Sequence, residues 1–354
     1  MKKWIGILAF LCTIACQKKA QTDKILDFFY VQNKQVYMPV WVQGNPDSDK
    51  IILVLHGGPG GDGSIYKYTK AFQNLEKDYI VVYFDQRGSG ASQGYFGLSD
   101  YNNDSYVKDL DKLVFLIAEK YGKTRDLILL GHSWGGMLGA AFLIQGKQKH
   151  RIRAWINNDG IHKTFGNEEY RRIKEVAIEQ IRKGNSMDFW QKTLQSLAKI
   201  DTNNISKYDI STINNLGYNG ESILTYDHVI EASSVPGYYD YLFNSSHYDS
   251  SYEVSGLITN IAMFDNHFNK DVDLSKDLYK ITQPTLFLWG NYDLVVAKYV
   301  AYEAFEYMTN AQVKYIHYFQ KSGHSAMLSE PDSYVATLKT FFQRLDTPDE
   351  RREN

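Results

Sequence analysis

Short apolar runs alternate with longer amphipathic segments over most of the chain. The runs are rich in Val, Ile, Leu and Tyr and stop near glycine or aspartate, which is the pattern of buried strands. We predict strands at 51–55, 79–84, 127–130, 154–157, 285–289 and 313–319. The clearest helix is predicted at 105–121, with an apolar face formed by Val107, Leu110, Val114, Ile117 and Tyr121.

The alternation of strands and helices predicts an α/β fold with a mostly parallel, doubly wound sheet that helices cover on both faces. Residues 28–31 and 35–42 precede these units and are expected to form an antiparallel pair at the sheet edge. Between 160 and 278 the sequence becomes polar and helical. Structureless loops of this length are rare in compact domains, so we expect a helical cap at 160–278 inserted into a core formed by 25–159 and 279–346.

Composition and charge fit a folded protein with a large core. The chain has 354 residues, of which 44% are hydrophobic, and a formal net charge of -2. This length is sufficient for one large core or for a core with an insertion. The near-neutral charge gives no indication of a nucleic-acid partner, and we expect none.

The N-terminal segment has the pattern of an export signal. Three residues including two lysines precede an apolar run at 4–15, which is too short to span a bilayer comfortably. The run ends at Cys16 in a sequence that resembles a bacterial lipoprotein cleavage box, although Thr13 replaces the usual leucine. We therefore expect a lipoprotein-type signal peptide at 1–15 and a tether at 16–24, with an uncleaved anchor as the alternative.

This interpretation predicts an exported, membrane-anchored lipoprotein on the periplasmic or cell-surface side. Cys16 would carry the lipid, and we expect the protein to contact the membrane only through that N-terminal anchor. Both cysteines, Cys12 and Cys16, lie in this segment, so we expect no disulfide framework in the rest of the chain.

A serine has a glycine two residues away on each side, where a predicted strand changes into a helix. Gly131-His132-Ser133-Trp134-Gly135 follows the strand at 127–130 and precedes an apolar helical run. In this context G-x-S-x-G is a nucleophile elbow, a tight turn that exposes the serine hydroxyl. The start of the following helix offers free N–H groups and a positive dipole end that favour a developing anion. We predict that Ser133 is a nucleophile.

A nucleophilic serine needs a base and an acid, and in this architecture they follow it in the order acid, histidine. Of nine histidines, His324 alone follows a late strand within a turn, Ser322-Gly323-His324-Ser325. Asp293 directly follows the strand at 285–289 and is our candidate for orienting the imidazole. Asp159, which also follows a strand, is the alternative acid.

Glycines after the strand at 51–55 suggest a second anion-stabilising turn. The sequence His56-Gly57-Gly58-Pro59-Gly60 lets backbone N–H groups approach a ligand closely. We expect Gly57 or Gly58 to join the N–H of Trp134 in an oxyanion hole. A phosphate-binding loop is disfavoured, because no G-K-[S/T] follows the glycines.

Five glycine-containing motifs lie near the ends of predicted strands. They are HGGPG at 56–60, DQRGSG at 85–90, GHSWGG at 131–136, GNYD at 290–293 and SGHSA at 322–326. Together they resemble the α/β-hydrolase fold and, within it, the prolyl aminopeptidase (proline iminopeptidase) family. The resemblance implies a serine peptidase that removes an N-terminal residue, often proline, from short peptides without a metal or cofactor.

By this likeness Ser133, Asp293 and His324 form the triad, and Gly58 and Trp134 are the oxyanion donors. The family binds the substrate amine through a cap glutamate, and a similar run in this chain carries Asp265 at that position. Aspartate is one methylene shorter than glutamate, which puts the exopeptidase specificity in question.

Other acidic residues remain candidates for specific roles. Glu169 and Glu231 are alternative amine contacts in the predicted cap. Asp85 and Arg87, in the DQRGSG motif, are expected to form a buried ion pair that holds this turn rather than to act in catalysis.

Three functions follow from these residues. The first is an aminopeptidase that releases an N-terminal proline or small apolar residue through an acyl-enzyme. The second is a carboxylesterase or other acyl hydrolase with the same triad, since fold and triad do not fix the leaving group. The third, a non-catalytic binding protein, is disfavoured by the intact triad. The expected partner is a short peptide or a small acyl compound, and the sequence does not determine the oligomeric state.

Overall fold

A computed structural model describes most of the chain, including the core and three complete cap helices. The described residues are 24–95, 97–122, 124–164, 166–237, 251–266 and 272–347. Of residues 264–266 only the backbone is described. The predicted signal peptide, Cys16 and nearly all of the predicted tether lie outside these ranges.

A nine-stranded sheet forms the centre of the fold. Eight strands follow the order β1-β2-β4-β3-β6-β7-β8-β9, and β5 pairs with β2. The neighbours from β4 to β9 pair in parallel, whereas β2 pairs antiparallel with β1, β4 and β5. The strands are β1 Ile25–Asn33, β2 Val36–Gly44, β3 Lys50–Leu55, β4 Ile80–Phe84, β5 Gln93–Gly94, β6 Asp126–His132, β7 Ile152–Asn158, β8 Thr285–Gly290 and β9 Lys314–Phe319.

Helices cover both faces of this sheet, which confirms the predicted α/β architecture. Along β3, Leu53 packs into one buried cluster and its neighbours Ile52 and Val54 into another, as alternation in a strand requires. The first cluster includes residues of α2, α3 and α8, and the second includes residues of α1 and α10. The helices of the core are α1 Lys70–Leu75, α2 Asn103–Tyr121, α3 Trp134–Gln145, α8 Lys298–Tyr307, α9 Ala326–Ser329 and α10 Pro331–Asp346.

The N-terminus of α2 shows how local sequence sets an element boundary. Asn102 has an extended backbone, and its side chain accepts the N–H of Ser105, which satisfies one of the free donors of the first turn. Four residues of the predicted apolar face are buried: Val107, Leu110, Val114 and Ile117. Helix α2 therefore begins at Asn103, directly after this cap and two residues before the predicted start.

Four described helices lie in the range predicted for the cap. They are α4 Asn167–Lys183, α5 Met187–Leu197, α6 Lys207–Tyr226 and α7 Ser251–Asn266. Residues of α4, α5 and α6 form a third buried cluster around Trp190, separate from the two clusters on the sheet. Leu294, from the loop after β8, is part of this cluster, so α4, α5 and α6 pack on the edge of the sheet where the predicted triad residues lie. Within the ranges that the structure describes, no helix has the length and apolar character needed to cross a membrane.

The expected ion pair between Asp85 and Arg87 is wrong. Both side chains are buried, but Arg87 pairs with Asp109 of α2, with Nε 2.6 Å from Oδ2 and Nη2 2.8 Å from Oδ1. Asp85 instead accepts the N–H groups of Gly63 at 2.9 Å and Ala91 at 2.7 Å. The two side chains point in different directions from this turn, and each forms its hydrogen bonds with groups elsewhere in the chain.

We predict that Asp109→Asn destabilises the fold by about 3–5 kcal/mol, because it leaves the buried Arg87 guanidinium without its bidentate partner. Chemical denaturation of the purified protein measures the effect. Asp78→Asn is the matched control, since Asp78 pairs with Lys339 on the surface and such pairs contribute about 0–1 kcal/mol. Equal stabilities of the two variants would contradict the assigned role of Asp109.

Candidate active site

Ser133 occupies a strained turn between β6 and α3. Its backbone has φ 55° and ψ -119°, a conformation that residues other than glycine rarely adopt. The Ser133 N–H donates to the carbonyl of Asn158 at 3.0 Å, which fixes the turn to the end of β7. The geometry is that of a nucleophile elbow.

Close backbone contacts explain the glycines around this serine. A Cβ placed on Gly135 would lie 2.1 Å from the carbonyl oxygen of Leu55, so a larger residue would push α3 away from β3. A Cβ on Gly57 would lie 3.3 Å from the Ser133 Cβ. The HGGPG turn therefore lies directly against the serine.

Asp293 and His324 are joined by a hydrogen bond. Asp293 Oδ2 lies 2.9 Å from His324 Nδ1, and Asp293 Oδ1 accepts the N–H groups of Val295 at 2.9 Å and Val296 at 2.8 Å. Burial lowers the pKa of His324, but the charge of Asp293 and this hydrogen bond outweigh burial and hold the pKa above its ordinary value. Since a carboxylate only accepts, the proton lies on Nδ1 and Nε2 of the neutral ring is free to accept another.

Ser133 and His324 line the same pocket. Among the described residues, no hydrogen bond joins the Ser133 hydroxyl to the imidazole. Contacts of this kind commonly shorten when substrate binds. The arrangement thus places an imidazole and a half-buried hydroxyl in one pocket.

Asp159, the alternative acid, is a neighbour of Asp293. Its Oδ1 accepts the N–H of Gly290 at 2.9 Å, and its Oδ2 accepts from the Asn158 amide at 2.9 Å. Burial, and then the negative charge of Asp293, raise the pKa of Asp159 well above its usual range, which favours its protonated form. The hydrogen bond to His324 is thus made by Asp293, and Asp159 is the buried neighbour of Asp293.

A chain of hydrogen bonds fixes the backbone of His324 from the side of the elbow. His132 Nε2 lies 3.0 Å from the His324 carbonyl oxygen, so this nitrogen carries the proton and donates. Burial, and then the charge of His324, lower the pKa of His132 to about 3, so its ring is neutral and Nδ1 accepts from the Tyr66 hydroxyl at 2.7 Å. The Tyr66 oxygen in turn accepts the N–H of Gly57 at 3.3 Å.

Gln86, of the DQRGSG turn, supports the other side of the elbow. Its side chain accepts from the Trp134 indole N–H at 2.8 Å and donates to the His56 carbonyl at 3.0 Å. Its backbone N–H donates to His56 Nε2 at 3.0 Å. This residue therefore connects the HGGPG turn to the first residue of α3.

The pocket in front of Ser133 has a volume of about 420 Å³. Its lining is largely apolar or uncharged, and Asp62 is the one carboxylate among the residues described there. The core lines the pocket with the HGGPG turn and with the loops that carry Ser133 and His324. Helix α6 lines it with Asn214 and Tyr218. A small acyl group or one amino-acid residue fits a pocket of this size.

Two of the three predicted cap carboxylates, Glu169 and Glu231, do not line this pocket. Glu169 is buried at the start of α4, where it accepts the N–H groups of Gly166 at 2.8 Å and Ala297 at 3.3 Å, and burial raises its pKa to about 7. Glu231 is exposed and pairs with Lys321 at 2.9 Å. The side chain of Asp265 lies outside the described residues, and so does Cys16. In the part of the chain that the structure describes, no cluster of His, Cys, Asp and Glu has the form of a metal site.

Sequence reasoning did not identify Tyr66, His132 or Glu221 as residues of the site. His132 adjoins the serine, but its partners come from 66 and 192 residues away. Glu221, whose carboxylate accepts the His324 N–H at 3.0 Å, follows two glycines of α6, Gly217 and Gly220. Small residues on one helix face are a signal of close packing.

Comparison with known proteins agrees with this geometry. The family described as the alpha/beta hydrolase fold matches residues 50–173. The proline iminopeptidase of Saccharolobus solfataricus is 26% identical over 302 residues, which cover 84% of this chain and 86% of that protein. The enzyme of the same name from Heyndrickxia coagulans is 22% identical and covers 83% of this chain and 91% of its own length.

Two solved structures have the same fold. The proline iminopeptidase of Mycobacterium smegmatis superposes with a TM-score of 0.61 at 17% identity, covering 90% of this chain and 99% of that chain. An esterase from Exiguobacterium antarcticum gives a TM-score of 0.56 at 18% identity, covering 89% and 98%. Fold and sequence match together define the class of the protein, an α/β hydrolase. Within that class the chain is similar over most of its length to curated proline iminopeptidases.

We predict that Tyr66→Phe lowers the free energy of unfolding by about 1–3 kcal/mol, because it leaves His132 Nδ1 and the Gly57 N–H without a buried partner. Urea denaturation measures the change. Tyr30→Phe, at an exposed tyrosine, is the control and is expected to have almost no effect. The hydrogen-bond chain contributes nothing if both variants unfold at the same urea concentration.

Proposed function

We propose that the protein is a serine hydrolase in which Ser133 is the nucleophile, His324 the base and Asp293 the acid. The observation that carries this proposal is the hydrogen bond between Asp293 Oδ2 and His324 Nδ1 at 2.9 Å, beside a serine in a nucleophile elbow. An imidazole held by a carboxylate and a serine that lines the same pocket support acyl transfer to Ser133.

The reaction follows from the protonation states. His324 Nε2 takes the proton of Ser133 as Oγ attacks the substrate carbonyl, and the imidazolium is stabilised by Asp293. The same proton then passes to the leaving amine or alcohol, which breaks the scissile bond and leaves an acyl group on Ser133. Water, deprotonated by His324, attacks the acyl-enzyme and releases the acid.

We assign the oxyanion donors to the N–H groups of Trp134 and Gly58. Trp134 is the first residue of α3 and directly follows Ser133, the position whose N–H contributes to the oxyanion hole of a nucleophile elbow. Of the two candidate glycines, Gly57 already donates to the Tyr66 hydroxyl at 3.3 Å, which favours Gly58. Losing one such donor lowers the rate by roughly 10²–10³.

For the substrate, we propose a short peptide from which the enzyme releases an N-terminal proline or small apolar residue. Two considerations support this assignment. Curated relatives that match most of the chain include proline iminopeptidases. The pocket also contains Asp62, a carboxylate of the sign that a substrate ammonium requires, which accepts the Ser64 N–H at 2.5 Å and is hydrogen-bonded to the Asp85 side chain.

A carboxylesterase is the second candidate. The pocket lining is largely uncharged, and the cap carboxylates Glu169 and Glu231 are committed to other partners. An ester substrate needs only the triad and the oxyanion donors.

The two candidates differ in their need for a free amine. We predict that the protein hydrolyses proline or alanine anilides with a free amino group at least tenfold faster than the same anilides with the amine blocked, since blocking removes about 1.4 kcal/mol or more of charge interaction. Asp62→Asn is expected to raise KM for the free anilide and to leave blocked esters unaffected. Initial rates at several substrate concentrations separate these effects.

Ser133→Ala is the control and should abolish every one of these activities. Faster turnover of the blocked substrate would exclude the aminopeptidase and leave an esterase. Full activity of Ser133→Ala would exclude serine catalysis altogether.

The two buried aspartates should respond differently to amide substitution. We predict that Asp293→Asn lowers kcat by roughly 10⁴, because the amide favours the wrong imidazole tautomer. Asp159→Asn should retain activity within about tenfold, because asparagine resembles the protonated form that the raised pKa favours. Steady-state kinetics of the two variants measures this, and the reverse order of damage would assign the acid to Asp159.

A further inference from the structure

Glu221, on cap helix α6, contacts both loops that carry the base and the acid. Its Oε1 accepts the N–H of Leu294 at 2.9 Å, the residue directly after Asp293. Its Oε2 accepts the N–H of His324 at 3.0 Å. One carboxylate thus holds the backbone of the acid loop and that of the histidine itself.

The packing around this carboxylate leaves it little freedom. A Cβ on Gly323 would lie 2.1 Å from Glu221 Oε2, and a Cβ on Gly217, one turn earlier in α6, would lie 2.3 Å from the Leu294 carbonyl oxygen. The absence of both side chains allows α6 to lie directly on the two loops. The two hydrogen bonds therefore form without a gap for water between helix and loops.

The His324 backbone is held at both of its polar groups by side chains from other elements. Its N–H donates to Glu221 and its carbonyl accepts from His132 at 3.0 Å. The cap and the elbow thus hold the two peptide units that flank the His324 Cα. A shift of α6 would move the base relative to Ser133.

We propose that Glu221 is a positioning residue through which the cap holds His324 in register with Ser133. This inference rests on the proposed serine-hydrolase function. Because Asn214 and Tyr218 of the same helix line the pocket, the helix that contacts the substrate also sets the position of the base. Binding and proton transfer are coupled through α6.

The charges that face Glu221 make this role visible in a pH profile. They belong to Asp293 and His324 in the loops, to Asp159 behind them and to Tyr218 on α6. Burial, and then the charge of Asp293, raise the pKa of Glu221 to about 7, while anionic Glu221 helps to raise the pKa of His324. Removing the Glu221 charge should therefore lower the pKa of His324 and move the acid limb of the rate profile to lower pH.

The direct test is Glu221→Gln in the full chain. We expect kcat to fall by roughly 10- to 100-fold with KM little changed, because a displacement of the base by about 1 Å has an effect of this size. We also expect the acid limb of kcat/KM to shift to lower pH, which a purely structural residue would not cause. Glu306→Gln, at an exposed glutamate of α8, is the matched control and should leave both quantities unchanged.

A second variant pair tests the same contact without relying on the stability of Glu221→Gln. Gly323→Ala should lower kcat in the native background, since the new methyl group displaces the Glu221 carboxylate. In the Glu221→Ala background the same substitution should have a much smaller effect, because the obstructing atoms are absent. Equal effects of Gly323→Ala in both backgrounds would overturn the inference.

Labelling with a fluorophosphonate separates this inference from the function on which it rests. If the native protein is not labelled at Ser133, the serine-hydrolase proposal fails. If it is labelled, while Glu221→Gln keeps the native kcat and acid limb, the proposed role of Glu221 alone is wrong.

Discussion

Parallel pairing of the strands from β3 to β9 is the constraint on which the site depends. Leu55 pairs with Gly131, Gly131 with Asn157 and Gly290 with Phe319, so the carboxyl ends of these strands lie at one edge. The chain segments after β3, β6, β7, β8 and β9 carry, in that order, the HGGPG turn, Ser133, Asp159, Asp293 and His324. Residues far apart in sequence meet there because the sheet aligns the loops that bear them, as in other open α/β sheets.

Most of this edge could be predicted from the sequence, because its signals are local. An apolar run followed by glycine or aspartate identifies a strand and the loop after it, and the G-x-S-x-G motif adds the direction of the chain. The pairing of Arg87 could not be predicted, since Asp109 lies one helix away and nothing in the DQRGSG motif refers to it. The contact of Glu221 could not be predicted for the same reason, because its partner His324 is 103 residues away in the sequence. Local patterns determine elements, whereas partners of buried charges depend on packing.

Among the contacts between cap and core, two buried carboxylates of the cap accept backbone N–H groups of the core loops. Glu169 of α4 accepts the N–H of Ala297 from the loop after β8, and Glu221 of α6 accepts from Leu294 and His324. In each case a buried carboxylate meets backbone donors rather than a cation. Hydrogen bonds from fixed N–H groups satisfy such a charge with directional contacts. At these two contacts the position of the cap is therefore coupled to the geometry of the loops.

The proximity of Asp159 to Asp293 bears on how sites of this kind change during evolution. Both carboxyls are buried at the same edge, at the ends of the adjacent strands β7 and β8, and they share one environment that disfavours two negative charges. Exchanging their roles would require a change in which side chain reaches the imidazole, with no new strand, loop or charge. A lineage could therefore transfer the acid from one strand to the next through intermediates that remain folded and retain one ionised carboxylate beside the histidine.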